Sequence, residues 1–390
     1  MIGPAEAGFR MCVARECRAP TAEGAQWQRH GLLQRVAIRC RETRADEPRP
    51  RGIDHLTSDL VAGLLDRRLI FVTGKGGVGK STVATALGLV AARAGLRTIV
   101  AELSAQEHVQ RAFEQSAQVF EELELAPRLF TISIDPQRAM EEYLRVKVGA
   151  VGHALSASRL FHAFAMATPG MRELLSIGKV WELAQLQRQT RGAAPYDFVV
   201  VDAPATGHGV GILKTPRTFA DIARVGPIAR QGRRIADTIA NPDFTGIVAV
   251  ATPEEMPVNE TLTLEEAVRA EGLKLDAVIV NALYPERFSG REATELQQAL
   301  ARVRASSSRV AVRAALSENA RATTQREQVT RLRETLDAPL IELPYLFAEQ
   351  IGRIELEQIA DRLEPTLAGR AAPPATNGRA RALRRTAVSG

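Results

Sequence analysis

Residues 74–82 read Gly-Lys-Gly-Gly-Val-Gly-Lys-Ser-Thr, and no other stretch limits the fold so tightly. The run fits G-x-x-x-x-G-K-[ST] in full. It follows an apolar Leu69–Thr73 segment and precedes a helical pattern over Val83–Arg93 that stops at Gly95. A strand, a glycine-rich turn and a helix in that order form a phosphate-binding loop (P-loop). Gly74, Gly76, Gly77 and Gly79, with Val78 between them, let backbone N–H groups wrap an anion at a helix N-terminus, where the helix dipole also favours negative charge. In this frame Lys80 reaches the β- and γ-phosphates, the Ser81 hydroxyl ligates Mg²⁺, and Thr82 contacts the α-phosphate. The expected ligands are ATP and Mg²⁺.

Downstream, Arg97–Glu102 reads as a second strand, which completes a βαβ unit and implies a parallel sheet. Further strands are expected at Leu129–Ile134, Asp197–Val201, Gly246–Ala251 and Ala277–Val280, with a short last one near Leu340–Leu343. The stretch from Gln137 to Thr190 reads as mostly helical and is too long for a simple crossover, so it is expected to form a helical subdomain on the sheet. The fold class is therefore α/β, a three-layer P-loop NTPase with a mainly parallel sheet. Residues 1–55 read as a disordered extension, 56–365 as the ATPase domain, and 366–390 as a disordered basic tail rich in Ala, Pro, Gly and Arg.

Charge supports that division. The chain carries a net +6, but residues 1–51 hold ten Arg against six acids and residues 366–390 hold five Arg and no acid, so the region between is slightly acidic. A nucleic-acid partner, which needs a basic footprint on the folded part, is not expected. The three cysteines, Cys12, Cys17 and Cys40, all precede the first strand, so no zinc site is expected in the main domain. With few cysteines, no long apolar run and an N-terminus interrupted by Arg10, Arg15, Glu16 and Arg18, the chain reads as cytoplasmic.

A second signal closes the phosphate site. Residues 197–202, Asp-Phe-Val-Val-Val-Asp, form an apolar strand ending in an acid, followed by Ala203-Pro204-Ala205-Thr206-Gly207-His208. A carboxylate at the C-terminal end of a strand beside a P-loop has the Walker B arrangement, so Asp202 joins Ser81 as a metal-side residue. The Gly207-His208 segment reads as a turn able to move with the γ-phosphate.

Lys75 is the informative deviation. A second lysine there marks the deviant Walker A group, which includes the MinD, nitrogenase iron-protein and ArsA families, and it adds positive charge where a phosphoryl-transfer transition state builds negative charge. The wider chain resembles the ArsA and tail-anchored-protein-targeting ATPases, closest to their single-domain, actinobacterial anion-transporting-ATPase branch. Asp202–His208 is similar to the family's D-x-A-P-T-G-H switch II, Pro216 to its downstream proline, Val278-Ile279-Val280-Asn281 to its V-I-V-N, Pro253–Thr261 to its P-E-x-x-x-x-x-E-T, and Pro169–Glu173 to its P-G-x-x-E. The likeness spans about Leu69 to Leu363. It implies that Lys75 reaches phosphate across a dimer, that Asn281 contacts adenine, and that Pro344 to Phe347, Pro344 and Leu346 among them, line the other side of the base. It also implies a homodimer, or a heterodimer with a paralogue, that switches between states to bind and release a client or partner.

Two departures qualify the resemblance. Counting back from Ala112-Phe113, the family's switch I Asp falls on Ser104, a neutral hydroxyl that is a poor base. Glu102 and Glu107 are nearby carboxylates at other positions. Slow hydrolysis follows, or a regulatory or scaffold subunit whose partner holds the intact acid. The absence of cysteine after Cys40 works against an arsenite-efflux role and against a zinc-stapled dimer. Met140, Met166, Met171, Phe161 and Phe164 in the helical stretch are ordinary core residues or, on the resemblance, part of a groove for a hydrophobic client segment or membrane-protein partner.

Overall fold

In the computed structural model, residues 63–103, 107–116, 118–156, 170–190, 192–223, 227–303 and 305–367 are described. Among them run eight strands: β1 Leu69–Gly74, β2 Thr98–Glu102, β3 Leu123–Ala126, β4 Leu129–Ser133, β5 Phe198–Asp202, β6 Thr245–Ala251, β7 Ala277–Leu283 and β8 Leu340–Pro344. They form one sheet in the order β3-β4-β2-β5-β1-β6-β7-β8. All neighbouring pairs are parallel except the β3–β4 hairpin at one edge. That antiparallel strand was not foreseen. Its four residues are polar in part and half-buried, so it lacks the apolar run that exposes a central strand to sequence reading.

The helices are α1 Lys80–Arg93, α2 His108–Ala112, α3 Pro136–Ser156, α4 Met171–Leu183, α5 Thr206–Ala223, α6 Pro227–Ala240, α7 Glu255–Ala270, α8 Gly290–Arg302, α9 Ser306–Thr335 and α10 Arg353–Leu367. Every residue of β1, β2, β5 and β6 is buried, as parallel strands covered on both faces must be. Alternation divides them between two cores. Ile70, Val72, Val100, Val200, Val248 and Ile279 face α1 and α10. Leu69, Phe71, Ile99, Val199, Ile247 and Val278 face α4, α7 and α9. The result is the three-layer α/β sandwich expected from the sequence.

The chain crosses from β1 to β2 on one side and later returns from β5 to β6 on the other, with β5 and β1 adjacent at the reversal. In open α/β sheets, ligands lodge at such a reversal, beyond the C-terminal strand ends. In the region read as a helical subdomain, α3 and α4 pack together. Met140 and Leu144 bury against Leu175, so Met140 belongs to a small core. Beneath it lies a charged network. Lys179 pairs with Glu142 at 2.8 Å and Glu182 at 3.1 Å, and the buried Arg188 binds Glu182 at 2.8 Å and Glu122 at 2.5 Å. Phe161, Phe164, Met166, Pro169, the three cysteines, residues 1–55 and residues 368–390 lie outside the described residues. Thr366 and Leu367, read as the start of the basic tail, are instead the buried end of α10, because the helix runs on past Pro365.

Candidate nucleotide-binding site

Backbone geometry explains the first glycine of the loop. Gly74 ends β1 at φ 144°, and a β-carbon there would sit 2.2 Å from the Val250 carbonyl oxygen of the neighbouring strand. Any other residue would push β1 and β6 apart. Gly79 begins α1 in the left-handed region at φ 91°, and a β-carbon on it would lie 2.3 Å from Asn281 Nδ2. Between them Gly76 and Gly77 are exposed while Val78 is buried and anchors the loop.

The first turn of α1 delivers the polar groups. Lys80 Nζ donates to the Lys75 carbonyl at 2.9 Å, closing the loop on itself. Burial holds the Lys80 ammonium below its ordinary pKa, against the attraction of Asp202. Ser81 Oγ donates to Asp202 Oδ2 at 2.5 Å, so the two residues read as metal-side do meet. Asp202 is buried at the end of β5, and its Oδ1 has no hydrogen-bond partner. Burial pushes its carboxyl above the usual range, opposed by the Ser81 hydrogen bond and the charges of Lys80 and His108. A cleft of about 600 Å³ opens over these groups, walled by Gly77, Thr82, Thr85, His108, Pro204 and Ile351 among others.

A second buried carboxylate stands beside the first. Glu102 ends β2 in register with Asp202 of β5. Its Oε1 accepts from the backbone N–H groups of His108 at 2.8 Å and Val109 at 3.3 Å. Burial pushes its carboxyl up to about 7; the two backbone donors oppose the shift and the Asp202 and Glu107 charges add to it. His108, Thr85 and Ile351 on the cleft wall carried no recognisable signal in the sequence. Glu102 carried one, because Thr-Ile-Val-Ala-Glu repeats the acid-terminated pattern of Phe-Val-Val-Val-Asp.

The other sequence-derived residues fall as follows. Lys75 Nζ pairs with Glu260 Oε1 at 2.8 Å and also contacts Met256 Sδ, so it lies against α7 of its own chain. Asn281 Nδ2 donates to the Val78 carbonyl at 2.9 Å, bracing the loop from behind. Pro344 and Leu346 do not border the cleft; Leu346 packs against the core on the α1 side. Gly207 and His208 stand in the first turn of α5 and not in a free turn, because the helix begins at Thr206 directly after the strand exit. Ser104 lies outside the described residues.

The donors suit a small, hard cation, since a hydroxyl and a carboxylate supply only oxygen and the buried Asp202 Oδ1 has no hydrogen-bond partner. A P-loop on a doubly wound parallel sheet, with a buried strand-end carboxylate in reach of its serine, places the molecule among the P-loop nucleotide-binding proteins. Comparison with known sequences narrows this class. The chain belongs to the anion-transporting ATPase family, whose profile matches residues 67–231 and 222–306. It is 31% identical over 233 residues to ATPase BagA of Mycobacterium tuberculosis, covering 58% of this chain and 68% of that protein. To the arsenical pump-driving ATPase of Escherichia coli it is 23% identical over 239 residues, covering 57% of this chain and 41% of that protein.

Proposed function

We propose that this chain binds Mg·ATP in the β1–β5 cleft and hydrolyses it slowly in a dimer, using the cycle to bind and release a client or partner. The observation that most supports this is the 2.5 Å contact between Ser81 and Asp202 beside Lys80, in a loop whose first and last turns admit only glycine. Lys80 would trade the Lys75 carbonyl for phosphate oxygens. The loop amides and the dipole of α1 would hold the β-phosphate. Mg²⁺, when bound, would neutralise charge between the β- and γ-phosphates, with Ser81 and Asp202 as its protein-side holders. Lys75, now paired with Glu260, would have to leave α7 to reach a phosphate, including one held by a second subunit. Calorimetry with ATP and Mg²⁺ tests the binding step. Lys80→Ala should abolish it, because it removes the ammonium from a site of reduced dielectric. Unchanged affinity in Lys80→Ala would sink the assignment.

One sequence observation favours a second reading, a hydrolysis-impaired regulatory or scaffold subunit paired with an ATPase paralogue: Ser104 stands where the family resemblance places a carboxylate. General-base and positioning effects are worth about 10²–10⁴-fold. On this reading Ser104→Asp should raise turnover while ATP affinity stays level. A brisk wild type that Ser104→Asp slows would argue for a different base. Some relatives are named arsenical pump-driving ATPases. An arsenite role for this chain is disfavoured because residues 41–390 contain no cysteine to hold a metalloid.

A further inference from the structure

Strands β2 and β5 end alike, and the likeness has a physical consequence. The parallel register sets Glu102 against Asp202, and Leu103 N–H donates to the Asp202 carbonyl at 3.2 Å, so the two strand exits are stitched together. Alternation puts both carboxylates on the sheet face that carries Val100 and Val200, the face covered by α1. Glu102 is 0% exposed and Asp202 4%. Each keeps one oxygen without a hydrogen bond, Oε2 on Glu102 and Oδ1 on Asp202. Buried polar atoms are almost always paired, and two unpaired acceptors on one face of adjacent strands leave a local demand for protons or positive charge.

The remaining oxygen of Glu102 is engaged by the backbone at the start of α2, where it accepts from His108 and Val109 N–H. This short helix carries His108 and Ala112 to the cleft wall. A glutamate needed only to cap α2 would use one oxygen and could turn the other toward a donor. Here the second oxygen is buried without a donor, on a strand whose register sets Glu102 against Asp202.

We propose that Glu102 is a second carboxylate of the metal-and-phosphate site, a positioning residue that links the bound cation to α2. Its Oε2 accepts from water held on the cation, and its Oε1 transmits that contact to the backbone of His108 and Val109. Occupancy of the metal side thereby fixes the segment that forms the opposite wall of the cleft. The inference rests on the Mg·ATP reading, and the experiment separates the two.

Glu102→Gln is close to isosteric. Its amide oxygen can still accept from His108 and Val109, while the other acceptor becomes an N–H₂ donor. Wild-type ADP binding by calorimetry, with Lys80→Ala as the negative, comes first; failure there counts against the Mg·ATP reading itself. Mn²⁺ affinity is then measured by electron paramagnetic resonance at saturating ADP, and amide hydrogen exchange is followed over residues 107–113 with and without metal. Glu102→Gln is compared with its own metal-free ADP affinity as the baseline. It should lose about tenfold in Mn²⁺ affinity, the size expected for an outer partner of a metal site, and lose the metal-dependent slowing of exchange at 107–113. Glu102→Asp, which keeps the charge but shortens the reach, should show the same two losses and serves if the Gln variant does not fold. Wild-type Mn²⁺ affinity together with wild-type protection in the variant overturns the proposal and leaves Glu102 a helix cap.

Discussion

The C-terminal ends of β1, β2 and β5 and those of β7 and β8 share one sheet edge, yet opposite rules build them. The first group is unsatisfied by itself. It holds an exposed glycine loop, two buried carboxylates with unpaired oxygens, and a lysine whose ammonium rests on a loop carbonyl. The second group is complete. Tyr284 and Tyr345 stack at 4.6 Å and 21°, with Phe347 edge-on to both. Arg321 donates to the Tyr284 hydroxyl at 2.8 Å, Tyr284 N–H donates to Gln325 at 2.8 Å, and Tyr345 N–H donates to the Leu283 carbonyl at 2.8 Å. A region with open valences is shaped for a ligand, whereas one with closed valences is shaped by packing. Asn281 joins the two, since it sits on β7 and its amide holds the back of the P-loop.

The contrast breaks most visibly at Asp202. Asp202→Asn keeps the shape and removes the buried charge beside Ser81 and Lys80. The Mg²⁺-dependent part of ATP affinity should fall more than about 100-fold, beyond the about 10–100-fold typical of outer metal partners. Metal-free nucleotide binding should change far less. Calorimetry with and without chelator reads both, and retained metal dependence would remove Asp202 from the metal side.

Ligand-free stability should also expose the cost of burying the carboxylates of the first group. Glu102 has a folded-state pKa of about 7, raised above its ordinary 4.5 by burial. A raised carboxyl binds its proton more tightly in the folded state, so its contribution is fully present below about pH 4.5 and is lost as pH rises through about 7. The wild type should lose up to about 1.4 kcal/mol per pH unit from this group within that window. Glu102→Gln cannot titrate and should flatten the slope. Denaturant melts from pH 5 to 8 without nucleotide measure it, and equal slopes would place the Glu102 pKa near its ordinary value.

The sequence carried the unsatisfied end further than the complete one. The nonamer fixed the loop because its glycines meet steric limits that nothing else satisfies, such as the Val250 carbonyl against Gly74. Asp202 was legible because an apolar strand ending in an acid beside a P-loop is unusual. Glu102 ends its strand in the same way, but its burial and its partners on α2 come from the register of β2 against β5, which no local pattern encodes. The edge strand β3 and the aromatic stack are long-range in the same sense. Tyr284 and Tyr345 meet only because β7 and β8 are neighbours, and Ala282 at φ 61° marks an irregular exit from β7 that composition does not announce.

Asn281 lets the two regions be separated energetically. Gly79→Ala adds a β-carbon where φ is 91° and where Asn281 Nδ2 lies 2.3 Å away. The backbone strain alone is worth about 1–3 kcal/mol, and the clash adds to it. Asn281→Ala alone removes one hydrogen bond to the loop, about 1 kcal/mol. In the double variant the clash disappears while the strain remains, so the two changes should cost less together than their sum. Denaturation midpoints complete the cycle. Strict additivity would mean that Asn281 does not brace the loop.

The smallest effect belongs to the complete end, and its size decides whether packing or ligand shaped that end. The family resemblance puts adenine near Asn281, Pro344 and Leu346, but in this structure the base of the cleft stops short of Pro344 and Leu346, and Tyr345 between them is engaged with Tyr284. Tyr345→Leu keeps much of the apolar volume and deletes the ring pair, worth about 0.5–1.5 kcal/mol of stability. If the aromatic cluster serves only packing, ATP affinity should move less than about twofold, a difference of roughly 0.4 kcal/mol. Inorganic tripolyphosphate supplies the control, since it presents the phosphates without a base. Tyr345→Leu should leave tripolyphosphate and ATP affinities in the same ratio as in the wild type. Should the ratio shift against ATP while tripolyphosphate binding holds, the stack supports the base, and the β7–β8 end is a second half of the ligand site that closes over adenine after the phosphates have docked.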